Sequence, residues 1–280
     1  MRNFTDILIC PKCGAALSCA EHSFICENGH CFDQSKEGYI NLLLANMKKT
    51  KMPGDDKLMV MARKNFLDKD YYKALKLKIF EIIAELNPEV VLDAGCGTGY
   101  YTSGLDNKYN VIGVDISKFA VQIASKHNKN NTYIVASIFN LPIKDSSVDL
   151  ILNVFAPKPQ AEFKRVLSAN GAIIEVVPAE EHLKELKQVV YQDSFKKNVE
   201  KFAFNQFKLA DTQRISYNVN IDNTDDLLNL IKMTPYWYKG GERNSQLVQN
   251  AKLSSITLDF IINIWKKIKT AEAVFLIFQS

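Results

Sequence analysis

The chain has 280 residues, 47% hydrophobic and 24% charged, as in an ordinary soluble globular protein of one large or two modest domains. Its 12 Gly and 8 Pro exclude a collagenous or low-complexity chain, and its longest apolar runs, such as residues 273–278, are too short to span a membrane as a helix. The first ten residues lack the pattern of a secretory signal, so we expect an intracellular, cytoplasmic protein.

Cysteines crowd the beginning of the chain. Five of the six fall within the first 31 residues: Cys10, Cys13, Cys19, Cys26 and Cys31. In a cytosolic chain of enzyme size, this crowding favours a metal site over disulfide bonds.

The spacing of these cysteines is typical of a zinc site. Residues 10–14 read CPKCG and residues 26–31 read CENGHC, two pairs of potential ligands, each with a turn glycine. Such pairs can complete a tetrahedron, here from Cys10, Cys13, Cys26 and either His30 or Cys31. Cys19 or His22 could also be the fourth ligand. Four protein ligands leave no position for water, so the predicted zinc is structural and residues 1–35 form a zinc-binding module.

A basic stretch follows the cysteines. Between residues 36 and 78 there are 11 Lys and Arg against 5 Asp and Glu, which leaves the rest of the chain net acidic. Apolar residues recur at three- and four-residue spacings over 56–86, which predicts one or two amphipathic helices that end at Asn87-Pro88. Residues 36–88 are therefore interpreted as a basic helical connector that favours a polyanionic partner. Its candidate cations are Lys48, Lys49, Lys51, Arg63 and Lys64.

From residue 89 onward, Val- and Ile-rich runs alternate with helical segments. Strands are predicted over 90–94, 110–115, 132–136, 148–155 and 172–177, and helices over 117–127 and 160–167. Residues 207–221 and 271–278 are predicted to form an antiparallel closing hairpin with helical material between them. The predicted fold is α/β, with a doubly wound parallel sheet over 89–280 and the N-terminal metal module before it.

A glycine-rich turn follows the first of these strands. Residues 91–102 read VLDAGCGTGYYT, in which the strand reaches Asp93 and the turn contains Gly95, Gly97 and Gly99 before a predicted helix. The turn lacks the Gly-Lys-Ser/Thr of a Walker loop, and Tyr100 stands where a dinucleotide fingerprint needs glycine. The pattern instead resembles the first motif of class I S-adenosylmethionine-dependent methyltransferases, which have a Rossmann-like fold.

The next two strands supply further candidate cofactor contacts. Asp115 ends the second strand, where an acid can accept hydrogen bonds from ribose hydroxyls. Ser137 follows the third strand, in the region that edges the adenine ring in this superfamily.

The segment after the fourth strand narrows the chemistry. Residues 153–158 read NVFAPK, without the Asp/Asn-Pro-Pro-aromatic tetrad of many adenine amino-methyltransferases and without the cysteine nucleophile of RNA cytosine-C5 methyltransferases. Phe155 and Pro157 are the candidates for the substrate pocket, and no catalytic base is assigned.

Motifs along most of the chain are similar to those of the ribosomal large-subunit (23S) rRNA guanine-N1 methyltransferases, a family that includes macrolide-resistance enzymes. The matching pieces are CPKC (10–13), CENGHCFD (26–33), KEGYINLL (36–43), PGD (53–55), ARKNFLDKDYY (62–72), LDAGCGTGYYT (92–102), FAP (155–157), EHLKELK (181–187) and MTP (233–235).

This resemblance implies methyl transfer from S-adenosylmethionine to N1 of one guanine in an rRNA hairpin loop, and a homodimer whose cleft holds the RNA. It implies His30 as the fourth zinc ligand. It also implies cofactor contacts from Tyr72, Gly97, Thr98 and His182. The family often has an acid at the position of Thr98, so the contact expected there is through the backbone.

Two other functions are compatible with parts of the sequence. A small-molecule methyltransferase would share the glycine loop and Asp115, but it needs neither a zinc module nor a basic stretch. A non-catalytic RNA- or protein-binding module is disfavoured by the intact Asp93, the three loop glycines and Asp115.

Overall fold

The structure is a computed structural model that describes residues 4–45, 54–191, 204, 206–221, 223–251 and 253–268. The candidate cations Lys48, Lys49 and Lys51 and the predicted strand 271–278 lie outside the described residues. Within those ranges, no helix combines the length and apolar character needed to cross a membrane.

The cysteine-rich beginning of the chain forms a small antiparallel sheet. A 3-10 turn at Phe4–Ile7 precedes strands β1 (Leu17–Ala20), β2 (Ser23–Cys26) and β3 (Cys31–Asp33), which pair in that order. Gly14 and Gly29 adopt positive φ angles of 77° and 74°, so the two turns that carry the predicted ligands need glycine.

An eight-stranded sheet forms the centre of the molecule, with the strand order β10-β11-β9-β8-β5-β6-β7-β4. β11 is antiparallel to both of its neighbours, and the other pairs are parallel, which confirms the predicted α/β fold. The strands are β4 (Ile40–Asn41), β5 (Val90–Ala94), β6 (Asn110–Asp115), β7 (Thr132–Val135), β8 (Val148–Val154), β9 (Leu167–Pro178), β10 (Phe207–Asn220) and β11 (Ser255–Lys267).

The helices lie on both faces of this sheet. The predicted amphipathic stretch forms two helices, of which α1 begins at an Asp56 cap that accepts from the Met59 N–H. The second ends at Asn87, whose left-handed backbone (φ 44°) stops the helix one residue before Pro88. The helices are α1 (Lys57–Leu67), α2 (Lys73–Leu86), α3 (Lys118–His127), α4 (Gln160–Val166), α5 (Lys184–Tyr191), α6 (Thr224–Lys232) and α7 (Pro235–Ala251).

The small N-terminal sheet packs on the central sheet and shares its core. Leu8 forms a β-bridge with Ile143, and the Ile9 N–H donates to the Pro142 carbonyl at 3.0 Å. The buried cluster on this face joins Leu8, Cys10 and Cys26 to strand residues of β5, β6 and β7. The opposite face packs against α1, α2, α5, α6 and α7.

One strand is not predicted from the sequence, and one prediction about an element is wrong. β10 pairs with the unpredicted β11 from Phe207↔Lys267 to Asn220↔Ser255, whereas the predicted partner, residues 271–278, lies outside the described residues. The polar Asp259 and Asn263 interrupt the apolar pattern of β11 and conceal it in the sequence. The glycine-rich turn leads into a series of turns over 97–104 rather than a helix, because Gly99 and Gly104 bound the stretch with positive φ angles of 76° and 89°.

Candidate functional site: a four-ligand metal centre and a methyl-donor site

The predicted metal ligands Cys10, Cys13, Cys26 and His30 come together at the end of the N-terminal sheet. Their ligand atoms all lie within 4.8 Å of one another. The Cys13 and Cys26 sulfurs are 3.8 Å apart, and His30 Nδ1 is 3.4 Å from the Cys26 sulfur. A tetrahedron with zinc–sulfur bonds of about 2.3 Å has edges of about 3.8 Å, so this arrangement has the dimensions of a closed zinc site.

The other candidate ligands lie outside this cluster. Cys19 and Cys31 are exposed thiols, and His22 is an exposed side chain on the turn before β2. The structure therefore selects His30 over Cys31 as the nearby fourth group. The Asn28 amide donates to the Cys13 sulfur at 3.3 Å and lowers the pKa of that thiol to about 6, which favours the thiolate that binds metal.

The glycine-rich loop lies at the carboxyl end of β5, where parallel strands bind ligands. Asp93 is buried, accepts a hydrogen bond from the Thr102 hydroxyl at 2.8 Å, and burial raises its pKa to about 7. Gly95 has φ +83°, and a Cβ there would meet the Ala156 Cβ at 2.7 Å. A Cβ on Gly97 would meet no atom within 4 Å, so the loop leaves open space on that side.

Asp115, at the end of β6, holds the next part of the site. Its carboxylate accepts from the Gly97 N–H at 2.9 Å and the Ser117 N–H at 2.8 Å, while burial raises its pKa. The connector touches this same loop, because a Cβ on Gly54 would meet the Ile116 Cγ2 at 2.9 Å and the Ser117 Cβ at 3.1 Å. The start of α1 is thus seated on the loop that carries Asp115.

Two predicted cofactor residues stand somewhat apart. Thr98 is half-buried and lines a small cavity of about 80 Å³ together with Gly99 and Tyr133. The Ser137 hydroxyl accepts from the Phe139 N–H at 3.2 Å and so stabilises its own turn after β7. No hydrogen bond joins Ser137 to the other predicted site residues within the part of the chain that the structure describes.

An aromatic cluster brings together residues from distant parts of the chain. The ring of Tyr72, just before α2, lies 6.5 Å from the Phe155 ring and 6.3 Å from the His182 ring. The rings of Phe155 and His182 stack at 6.4 Å, and Phe260 of β11 packs 4.7 Å from His182. Phe155 is nevertheless 45% exposed, so its ring presents a stacking surface at the sheet edge.

The loop after β8 is held at several points. Phe155 has a left-handed backbone (φ +54°), and its N–H donates to the Val176 carbonyl at 3.2 Å. The buried Asn153 amide donates to the Pro157 carbonyl at 3.0 Å. Lys158 forms an ion pair with the buried Glu175 of β9. These anchors fix both candidate pocket residues, Phe155 and Pro157, against the sheet.

Sequence reasoning missed the residues that support the site from other strands. Asp259 of β11 donates its N–H to His182 Nδ1 at 3.3 Å and pairs with Arg214 of β10. The Thr102 hydroxyl donates to Asp93, and the Phe260 ring packs against the His182 ring. No local pattern identifies these residues, because their contacts depend on strand pairing. A buried Asp inside the apolar run of β11 is the one available signal.

The donor set fits S-adenosylmethionine. Its sulfonium and ammonium are cationic, and buried acids such as Asp93 and Asp115 gain stability beside a positive charge. Ribose hydroxyls can donate to the Asp115 carboxylate, and the open space beside Gly97 admits a ligand close to the backbone.

Comparisons with known proteins agree with both parts of the molecule. The family model "RlmA, N-terminal", a zinc ribbon, matches residues 8–51, and the model "Methyltransferase domain" matches residues 87–234. The "23S rRNA (guanine(748)-N(1))-methyltransferase" of Streptomyces fradiae is 33% identical over 66% of this chain and 68% of its own length. The "Putative 23S rRNA (guanine-N(1)-)-methyltransferase YxjB" of Bacillus subtilis (strain 168) is 31% identical over 92% of this chain and 96% of its own length.

These matches, together with the four-ligand cluster, identify S-adenosylmethionine and structural zinc as the cofactors. The chain belongs to the family of 23S rRNA (guanine-N1)-methyltransferases that carry an RlmA-type N-terminal zinc ribbon.

Proposed function

We propose that this chain transfers a methyl group from S-adenosylmethionine to N1 of a guanine in a hairpin loop of 23S rRNA. The observation that carries the proposal is the similarity along 92% of the chain to the Bacillus subtilis relative, which is named "Putative 23S rRNA (guanine-N(1)-)-methyltransferase YxjB". The packing of a zinc ribbon on the same sheet that holds the methyl-donor site supports an RNA substrate over a small molecule.

The cofactor supplies an electrophilic methyl carbon, so the protein has to bind and align the two reactants. We assign the methyl-donor contacts to Tyr72, Asp93, Gly95, Gly97, Thr98, Gly99, Asp115, Ser137 and His182, and the zinc to Cys10, Cys13, Cys26 and His30. Phe155 and Pro157 present the target guanine, with the exposed Phe155 ring stacking on a base turned out of its loop. The contact between Gly95 and Ala156 keeps the methyl-donor loop and this substrate loop adjacent.

Three regions of the chain carry different parts of the proposed function, with the bounds predicted from the sequence. Residues 1–35 form the zinc module, residues 36–88 the basic connector, and residues 89–280 the methyltransferase domain.

The connector cations that we propose bind the rRNA backbone are Lys48, Lys49 and Lys51. Arg63 and Lys64 are left out because they form ion pairs with Asp55 and Asp68. Neutralising all three should weaken rRNA binding and flatten its salt dependence while sparing affinity for the methyl donor. Unchanged rRNA affinity and salt slope would place the RNA path elsewhere.

The family resemblance also supports three finer proposals. The protein acts as a homodimer, works in the cytoplasm where rRNA is made in bacteria, and alters susceptibility to macrolides. Sedimentation analysis at several concentrations measures the first. Comparison of macrolide inhibition in cells with and without the gene measures the last.

Methyl transfer from labelled S-adenosylmethionine to 23S rRNA tests the function directly. The expected result is label in rRNA and a primer-extension stop at one guanine, because N1 methylation blocks base pairing. The Asp115→Ala variant should reduce both signals. Label on another base, or on small molecules only, would overturn the proposal.

A further inference from the structure

Asp259 is a fully buried acid near the middle of β11, outside the predicted site residues. Arg214 of the neighbouring β10 donates from Nε to one carboxylate oxygen and from Nη2 to the other, each at 2.8 Å. This two-pronged ion pair lowers the pKa of Asp259 against the opposing effect of burial. A buried carboxylate in this position requires a reason, because apolar residues occupy most buried positions of the strand.

Besides Arg214 and Ser216 of β10, the described hydrogen-bond partners of Asp259 lie on the loop that carries His182. The Glu181 N–H donates to its carboxylate at 3.0 Å, and the Ala179 N–H donates to its carbonyl at 2.9 Å. Its own N–H donates to His182 Nδ1 at 3.3 Å. The loop needs such anchors, because Leu183 is held in a left-handed conformation (φ +57°) that non-glycine residues disfavour.

The bond to Nδ1 determines which nitrogen of the His182 ring carries the proton. A nitrogen that accepts a backbone N–H bears no proton, so Nδ1 is the acceptor and Nε2 is the donor of a neutral ring. Burial lowers the pKa of His182 to about 3, which agrees with a neutral ring at physiological pH. Nε2 has no hydrogen-bond partner among the described residues.

We infer that Asp259 and Arg214 are positioning residues that hold His182 as a neutral Nε2–H donor to an oxygen acceptor of the methyl donor. This inference rests on the proposed place of His182 in the methyl-donor site. It also means that His182 does not take the N1 proton of guanine, because Nδ1 is occupied and Nε2 is already protonated.

A double-mutant cycle on methyl-donor affinity tests the inference. Asp259→Asn keeps the volume of the side chain but replaces one acceptor oxygen with a donor, so Arg214 or the Glu181 N–H loses its partner and the His182 loop loosens. Both Asp259→Asn and His182→Ala should raise the Kd for S-adenosylmethionine about tenfold in calorimetry, and the double variant should be no weaker than His182→Ala. Effects that add would show that Asp259 acts independently of His182 and would overturn the inference.

The matched control is Asp211→Asn, an exposed acid on β10 whose carboxylate bonds only Gln213 among the described residues. It should leave the Kd unchanged. Thermal unfolding checks that each variant is folded. Should Asp259→Asn unfold at the assay temperature, Arg214→Lys replaces it in the same cycle, because lysine keeps the charge but cannot pair with both oxygens.

Nitrogen NMR of labelled histidines gives a second readout that a merely structural role would not move. His182, assigned by its absence in His182→Ala, should show a protonated Nε2 and an unprotonated Nδ1, and Asp259→Asn should mix the two tautomers. A wild-type ring protonated at Nδ1 would sink the inference. Both measurements use the methyl donor without RNA, so failure of rRNA methylation would leave them standing and refute the proposed function alone.

Discussion

At the residue scale, the two buried acids of the methyl-donor site have different surroundings. Among the described residues, Asp93 has one side-chain partner, the Thr102 hydroxyl, and it is buried. Asp115 accepts two backbone N–H bonds and therefore shapes the glycine loop even before it meets a ligand. Loss of Asp93 is thus expected to change the pH dependence of stability. Loss of Asp115 is expected to change the conformation of the glycine-rich loop.

The substitution Asp115→Ala should weaken S-adenosylmethionine binding by about 1–3 kcal/mol, the range for lost hydrogen bonds to a charged group. The Gly97 N–H also loses its acceptor, so the loop beside the ligand becomes less ordered. Calorimetry measures the Kd. Asp106→Ala, which removes an exposed acid that bonds only the Lys108 N–H among the described residues, is the control and should bind normally. An unchanged Kd for Asp115→Ala would remove this residue from the site.

The raised pKa of Asp93 predicts a pH dependence of stability. Because the pKa rises from 3.8 in the unfolded chain to about 7 in the folded one, this group favours folding below about pH 4 and loses that contribution as the pH rises through 7. Asp93→Asn keeps the bond from Thr102 but cannot ionise. The stability of the wild type relative to Asp93→Asn should therefore fall by up to about 4 kcal/mol between pH 4 and pH 8.

Urea unfolding at several pH values measures this difference. The exposed Asp106→Asn variant should follow the wild type at every pH. Parallel curves for wild type and Asp93→Asn would show that Asp93 stays ionised in the folded protein.

At the element scale, the substrate loop after β8 depends on its anchors. In the variant that combines Lys158→Met with Glu175→Gln, the ion pair is lost without leaving a buried charge unpaired. The KM for rRNA should rise or kcat should fall about tenfold, while the Kd for S-adenosylmethionine stays unchanged. Lys164→Met, on the exposed side of α4, should leave all three quantities unaltered. Equal losses in the two affinities would mean that the pair supports the whole sheet edge rather than this loop.

The sequence predicts the parallel strands well, because strands buried on both faces read as continuous apolar runs. The strand limits at 90–94 and 110–115 agree with the structure. It fails for β11, where Asp259 breaks the run to reach Arg214, 45 residues earlier in the chain. It also fails after Gly99, where local backbone angles end the helical pattern. The glycines and strand ends that line the site can be recognised from short stretches of sequence. The side chains that support them from neighbouring strands cannot, because their contacts depend on how distant strands pair.

At the scale of the whole molecule, the zinc ribbon is continuous with the catalytic sheet. Two of its four clustered ligands, Cys10 and Cys26, belong to the same buried cluster as Ile134 of β7 and Ala94 of β5. Leu8 and Ile9 attach the ribbon to residues 142–143, which closely follow the Ser137 turn. Metal binding is therefore expected to stabilise the methyl-donor site as well as the ribbon.

The substitution Cys26→Ser should empty the metal site, lower the Tm and weaken S-adenosylmethionine binding, because the ribbon side of the shared core loosens. Cys31→Ser is the matched control and should retain about one zinc ion per chain with normal affinity. Elemental analysis and calorimetry measure the two quantities. Zinc loss in Cys31→Ser would mean that Cys31, not His30, is the fourth ligand, and unchanged methyl-donor affinity in zinc-free Cys26→Ser would mean that the two sites are energetically independent.

The contact of Gly54 with Ile116 and Ser117 has a thermodynamic consequence for the order of binding. The same short segment begins the first helix of the basic connector and rests on the loop that carries Asp115. An RNA that changes the affinity for the methyl donor through this segment would have its own affinity changed by the methyl donor by an equal factor. With such coupling, binding of either substrate would change the affinity for the other before methyl transfer takes place.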